Sequence, residues 1–186
     1  MWGNALTAAN QLTLLRMLLI PGFALLVIYD HLGPALLVFC VAGLTDALDG
    51  LIARRAGQKT ALGAWLDPMA DKLLLVTTFV VLTLPLEHLT VRLPVWLTVL
   101  MISRDIGIVA TTAIITMTVG RRSFTPSMLG KIATTVFILT GVVTLFFNYL
   151  GRPSVVVTAF IYASLVVTLL SGLHYLANVT RLGQGS

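Results

Sequence analysis

Six stretches of this chain run for close to 20 residues with few charges, and that pattern restricts the fold more than any other feature. They fall at roughly 12 to 30, 34 to 54, 67 to 84, 94 to 119, 126 to 149 and 154 to 176. About 20 mainly apolar residues are what one helix needs to cross a hydrocarbon core. In that medium the backbone must satisfy its own polar groups, so the runs are expected to be helices. With 58% hydrophobic and only 10% charged residues, the chain reads as an all-α polytopic membrane protein of six spans. Gly33-Pro34, the segment from Pro85 to Pro94, Pro126, and Gly151-Arg152-Pro153 mark the breaks. The loops are short, so residues 1–186 are expected to form one membrane domain. In residues 1 to 11, Trp2, Ala5, Leu6 and Ala9 recur at helical spacing, which predicts a short interfacial helix lying on the membrane. The tail from Leu182 to Ser186 reads as irregular.

The formal charge of +5 does not describe a nucleic-acid surface, because the Lys and Arg residues are neither grouped nor interleaved with exposed aromatics. They sort by membrane side. Six spans place Arg16, Arg54, Arg55, Lys59, Arg121, Arg122, Lys131 and Arg181 on one side, and Arg92 and Arg152 on the other. The excess of positive charge puts both termini at the cytoplasmic face. The lone Cys40 excludes an intrachain disulfide and reads as a packed small hydrophobe. No basic residue precedes Arg16 and no small-residue cleavage site follows the first apolar run, so the first span is expected to be retained rather than cleaved.

Against this background four carboxylates stand out. The chain reads Asp46-x-x-Asp49-Gly50-x-x-Ala53-Arg54, then eight residues, then Gly63-x-x-x-Asp67-x-x-x-Asp71. At bilayer depth each Asp costs about 2.5 to 3.5 kcal/mol, so four unpaired ones would cost roughly 10 to 14 kcal/mol. A cationic group must offset that cost. Asp46 and Asp49 are three apart and Asp67 and Asp71 four apart, so each pair shares a helix face. Two helices joined by a short loop would be antiparallel neighbours, and their faces would enclose a carboxylate cage near the cytoplasmic rim. Such an all-oxygen donor set suits two divalent ions, magnesium or manganese. Zinc is disfavoured by the scattering of His31, His88 and His174 along the chain and by the single thiol. Gly50, Ala53 and Gly63 allow close approach of a helix or ligand, and Arg54 would face a phosphate or pair with a carboxylate. Helix capping at a structural rim, or a cation or proton path through a transporter, would also use membrane acids. Clustering toward one face argues against a path.

The string from Asp46 to Asp71 resembles the signature of the CDP-alcohol phosphatidyltransferases, with Asp46, Asp49, Gly50, Ala53, Arg54, Gly63, Asp67 and Asp71 at the family spacing. The resemblance implies six transmembrane helices, a homodimer, and divalent metal in the transfer of a phosphatidyl group from CDP-diacylglycerol to an alcohol, with release of CMP. It implies that Asp46, Asp49 and Asp67 bind metal and hold the diphosphate. Asp71 would lie at the metals and act as the base. Gly50, Arg54 and Gly63 would line the CDP pocket. Three further stretches extend the likeness: Asn10-x-Leu12-Thr13-x-x-Arg16, whose Asn10 would approach the nucleotide, Ser103-Arg104-Asp105, and Pro126-Ser127-x-x-Gly130-Lys131-x-x-Thr134. They are similar to the branch of the family that makes phosphatidylglycerol phosphate, and the latter two also to the CMP-forming cardiolipin synthases. The phrase Leu93-Pro94-Val95-Trp96-Leu97 resembles the cardiolipin enzymes as well.

Arg104, Lys131 and Arg121 or Arg122 would then form a basic pocket for the phosphate of the acceptor alcohol. A pair between Arg104 and Asp105, or between Arg104 and an acid of the cage, would equally account for that guanidinium, and Arg121 and Arg122 would also serve as headgroup anchors. Thr77, Thr78, Thr111, Thr112, Thr134 and Thr135 are expected to bond backbone carbonyls within helices. The expected reaction joins CDP-diacylglycerol to sn-glycerol 3-phosphate, with phosphatidylglycerol as the alternative acceptor. The expected setting is a bacterial inner membrane, with the acids at its cytoplasmic face, membrane lipids as neighbours and no nucleic-acid partner.

Overall fold

The computed structural model describes residues 8–56, 61–119 and 128–183. Every regular element among them is a helix: α1 Ala8–Ile28, α2 Leu32–Ala56, α3 Ala61–Thr83, α4 Val95–Val119, α5 Met128–Tyr149 and α6 Val155–Gly183. This is the order expected from the apolar runs. Residues 8–11 form the first turn of α1 rather than a separate interfacial helix, and residues 1–7 lie outside the described residues. At the other end α6 continues through Leu182 to Gly183, so that part of the tail is helical. Helix α3 begins at Ala61, six residues before the expected start. Asp67-Pro68 reads locally as a cap followed by a first-turn proline, yet both lie inside the helix, which places Asp67 and Asp71 in its second and third turns.

The helix ends follow from local chemistry. After α1, His31 N–H donates to Leu26 O at 2.7 Å and Asp30 N–H to Val27 O at 3.2 Å, while Asp30 holds φ 64°. After α5, Arg152 N–H reaches Phe147 O at 3.2 Å and Gly151 N–H reaches Asn148 O at 2.9 Å, with Gly151 at φ 61°. Both are Schellman closures, which need one left-handed residue and satisfy the last carbonyls. At the start of α6, Ser154 Oγ accepts the N–H of Val156 at 3.1 Å, an N-cap. Pro34 falls in the first turn of α2, where no intrahelical donor is lost.

The described residues divide into two compact units, one of residues 8–56 and 61–92 with 144–153 and one of 93–119 and 128–143 with 154–183. In the first, α1 packs against both α2 and α3. Its buried stripe is Thr13, Arg16, Ile20, Phe23 and Val27, spaced three and four apart as a helix seam requires. Phe23 meets Phe39 of α2 with ring centroids 5.8 Å apart, and Ala35, Ala42 and Ala70 are buried where helices approach closely. In the second, α4 packs on α6. Thr140 Oγ1 and Ser164 Oγ lie 2.8 Å apart, and Thr168 Oγ1 donates to Ser164 O at 2.6 Å.

Polarity runs opposite to that of a water-soluble protein. Thr13, Thr78, Thr140, Asn148, Ser164 and Ser171 are buried, whereas Leu18 (74% exposed), Leu37 (68%) and Val155 (84%) face outward. An apolar exterior on this scale is a surface for lipid. Among the described residues, Met128–Tyr149 and Val155–Leu173 are long and apolar enough to cross a membrane. The segments Thr13–Ile28 and Leu32–Thr45 are apolar but shorter. Threonines in the helices close back on their own backbone as expected: Thr78 on Leu74 O, Thr134 on Gly130 O and Thr135 on Lys131 O.

Candidate active site

Arg16 and Asp71 are 55 residues apart in sequence and in contact in the fold. The Nη1 of Arg16 donates to Asp71 Oδ1 at 2.7 Å. The Arg16 side chain is 1% exposed, on the buried stripe of α1, and that of Asp71 is 39% exposed, on α3. A guanidinium cannot shed its proton in a protein, so a buried one requires an anion. This is a cation of the kind the acid-rich sequence demands. Sequence reasoning counts Arg16 among the basic residues of the cytoplasmic side and as the close of the Asn10 motif, and gives it no acid partner. The signal that could have found it is a lone arginine inside the first apolar run, in register with Ile20, Phe23 and Val27.

The other three acids are placed by backbone. Asp46 and Asp49 lie in the second half of α2 and Asp67 one turn before Asp71 on α3. Helical backbone through each pair puts Asp46 with Asp49, and Asp67 with Asp71, on one helix face apiece. The helix common to both is α1, against which α2 and α3 each pack. Gly50 and Arg54 are on α2, Gly63 on α3 and Asn10 in the first turn of α1. The side chains of Asn10, Asp46, Asp49, Arg54 and Asp67 are outside what the structure describes, and Arg121 lies outside the described residues altogether.

Arg104 is engaged within its own unit. Its Nη1 donates to Asp105 Oδ1 at 2.9 Å, and its Nη2 donates to Ser171 Oγ of α6 at 3.0 Å and, at 3.5 Å, to Gly130 O of α5. The side chain is 9% exposed, and its Nε is buried with no hydrogen-bond partner among the described residues. The pair with Asp105 expected as one alternative is therefore present, and Ser171 is a partner that no spacing rule points to. Lys131, in the first turn of α5, is exposed.

Beyond the end of α1 the chain builds a different polar site. A pocket of about 410 Å³ is lined by Asp30, His31, Gly33, His88, Thr90 and Asn148, among others. His31 and His88, two of the histidines that look scattered in sequence, thus line the same pocket. His88 Nε2 is 2.8 Å from Val27 O. The buried amide of Asn148 accepts from Val91 N–H at 2.9 Å and donates to Val91 O at 2.8 Å, pinning the loop between α3 and α4.

Comparison with known proteins gives a consistent answer. A profile of the family described as CDP-alcohol phosphatidyltransferase matches residues 6–170. A probable phosphatidylglycerophosphate synthase of Mycobacterium tuberculosis is 35% identical over 184 residues, covering 93% of this chain and 81% of that protein. A CDP-diacylglycerol–glycerol-3-phosphate 3-phosphatidyltransferase of Escherichia coli is 38% identical over 174 residues, covering 89% of this chain and 91% of that protein. The CMP-forming cardiolipin synthase of Homo sapiens is 43% identical over 111 residues, which are 59% of this chain and 35% of that protein.

Proposed function

The chain belongs to the CDP-alcohol phosphatidyltransferase family of membrane enzymes, and from that premise we propose that it transfers the phosphatidyl group of CDP-diacylglycerol to sn-glycerol 3-phosphate. The products are phosphatidylglycerol phosphate and CMP. The observation that carries the choice of acceptor is the similarity to the Escherichia coli enzyme along nearly the whole of both chains. Family membership removes the transporter reading. Phosphatidylglycerol as acceptor remains the second reading, favoured by the 43% identity to the human cardiolipin synthase over its shorter span.

Asp46, Asp49, Asp67 and Asp71 would hold two divalent cations, magnesium or manganese. The fit rests on a donor set of carboxylates alone and on the exposure of Asp71, whose side chain is open to a ligand at 39%. When bound, the metals supply neutralisation of the diphosphate and stabilisation of the departing CMP. Asp71 takes the proton from the acceptor hydroxyl as that oxygen bonds to the β-phosphorus. The bond from this phosphorus to the bridging oxygen breaks, and CMP leaves with the electron pair. Gly50, Arg54, Gly63 and Asn10 bind the CDP moiety, and Arg104, Lys131 and Arg121 bind the acceptor phosphate. The protein works as a homodimer in a bacterial inner membrane, with the acids at the cytoplasmic face where the basic residues cluster.

The test is CMP release by purified protein in detergent with CDP-diacylglycerol and magnesium, with glycerol 3-phosphate, phosphatidylglycerol, inositol phosphate and serine offered one at a time. Release with glycerol 3-phosphate, abolished by chelator, supports the reading. Release only with phosphatidylglycerol transfers it to cardiolipin synthesis.

A further inference from the structure

We propose that Arg16 is a positioning residue for the transfer reaction: from the buried face of α1 it fixes the carboxylate of Asp71 in the orientation that receives the acceptor's proton. The inference rests on the reading of Asp71 as the base and adds a residue on a different helix to the machinery. Its first support is an asymmetry of burial. Arg16 is 1% exposed and Asp71 39% exposed, so the guanidinium is held by packing while the carboxylate is partly exposed. A tie that serves stability alone gains nothing from leaving its acid accessible to ligand. The arrangement is instead that of an orienting group behind a working one, as a buried acid orients a catalytic imidazole.

The second support is the anchoring of the cation. Arg16 shares its stripe with Thr13, Ile20, Phe23 and Val27, all buried, so its position is determined by the packing of α1 against α2 and α3 rather than by the site. A charge-assisted bond at 2.7 Å to one carboxylate oxygen restricts the plane of the acid. Placement of reacting groups within a fraction of an ångström is worth large factors in rate. Loss of the tie should therefore slow the chemical step far more than it weakens nucleotide binding, because Asp71 is one of four acids assigned to the metals and the CDP moiety is assigned to Asn10, Gly50, Arg54 and Gly63. The motif Thr13-x-x-Arg16 thereby acquires a function: it delivers a fixed cation to the second pair of acids from a helix that carries no acid of its own.

The experiment compares wild type, Arg16→Gln and Arg16→Lys as full chains in detergent, using whichever acceptor the wild type turns over. Three quantities are read: kcat and KM for CMP release, the affinity for CDP with manganese and no acceptor, and the midpoint of thermal unfolding. Arg16→Gln is expected to turn over at least about 30-fold more slowly than wild type, with CDP affinity and KM for CDP-diacylglycerol changed less than threefold. Arg16→Lys should recover at least fivefold of the loss. In an Asp71→Asn background, Arg16→Gln should change the residual rate by less than twofold. Turnover within threefold of wild type in folded Arg16→Gln overturns the proposal, as does a loss of CDP affinity that parallels the loss of turnover, or an undiminished effect in the Asp71→Asn background. If Arg16→Gln fails to fold, Arg16→Lys decides on the same split between turnover and CDP affinity. No CMP release by wild type with any acceptor would remove the transferase reading and this inference together, whereas an active wild type beside an unaffected Arg16→Gln removes the inference alone.

Discussion

Replacing Asn148 by Leu should loosen one specific loop, and the size of the effect follows from the contacts. Asn148 is 3% exposed near the end of α5. Its Oδ1 accepts from Val91 N–H, and its Nδ2 donates to Val91 O at 2.8 Å and to Thr144 O at 2.9 Å. Leucine has the same branched shape and can make none of these bonds. Thr144 O keeps its helical partner, so the loss falls on the two backbone groups of Val91. A buried backbone group left unsatisfied costs about 1 to 3 kcal/mol, which for two groups would be about 2 to 6 kcal/mol. Val91 is only half-buried, so water recovers part of this, and about 1 to 3 kcal/mol is expected. That energy appears as local opening of the segment between α3 and α4, where Arg92 is exposed. Limited trypsin digestion in detergent, following the fragment cut after Arg92, should run roughly 5-fold to 100-fold faster in Asn148→Leu under conditions where cleavage tracks opening. Cleavage at Arg92 within twofold of wild type, in protein that keeps its helical circular dichroism, would refute the reasoning.

Four further outcomes are expected. Thr144 is fully buried and its Oγ1 has no hydrogen-bond partner among the described residues, so Thr144→Val should be neutral or stabilising by up to about 1 kcal/mol in mixed-micelle unfolding. At the two Schellman turns the signs should differ: Asp30→Gly, at φ 64°, should stabilise by about 0.5 to 1 kcal/mol, and Gly151→Ala, at φ 61°, should destabilise by about 1 kcal/mol. Thr140→Val and Ser164→Ala each break the 2.8 Å hydroxyl pair, so their double-mutant cycle should show a coupling of about 0.6 kcal/mol, against near zero if the hydroxyls act independently. Asp71→Asn retains an oxygen that can accept from Arg16, so the fold should survive while CMP release falls at least about 100-fold; retention of a tenth of wild-type activity would exclude Asp71 as the base.

The helices are legible in the sequence because a nonpolar medium leaves a chain few options. Apolar runs of about 20 residues must close their own hydrogen bonds, and Pro85, Pro94 and Gly151 stand just outside helix ends in the structure, while Gly33-Pro34 falls in the first turn of α2. The acid spacing is legible for the same reason, since three-and-four spacing has only one meaning once the backbone is helical. The expected start of α3 at residue 67 is six residues late: Asp67-Pro68 carries the local signs of a helix beginning, although Ala61, Leu62, Ala64 and Leu66 before it are good helix formers.

What only the tertiary structure decided is which helix faces meet. In a water-soluble helix the polar side points outward, so composition marks the buried stripe. Here leucines cover the outside of α1 and a threonine and an arginine lie within, and an apolar segment read in sequence does not reveal that inversion. The partners that matter are accordingly remote: Arg16 with Asp71 across 55 residues, Val91 with Asn148 across 57, and Arg104 with Ser171 across 67. The sequence determined that acids would stand in an apolar chain and that a cation must offset them. It took the packing of α1 against α3 to decide that the cation beside Asp71 is Arg16, because charge demands a partner but only the meeting of two surfaces chooses one.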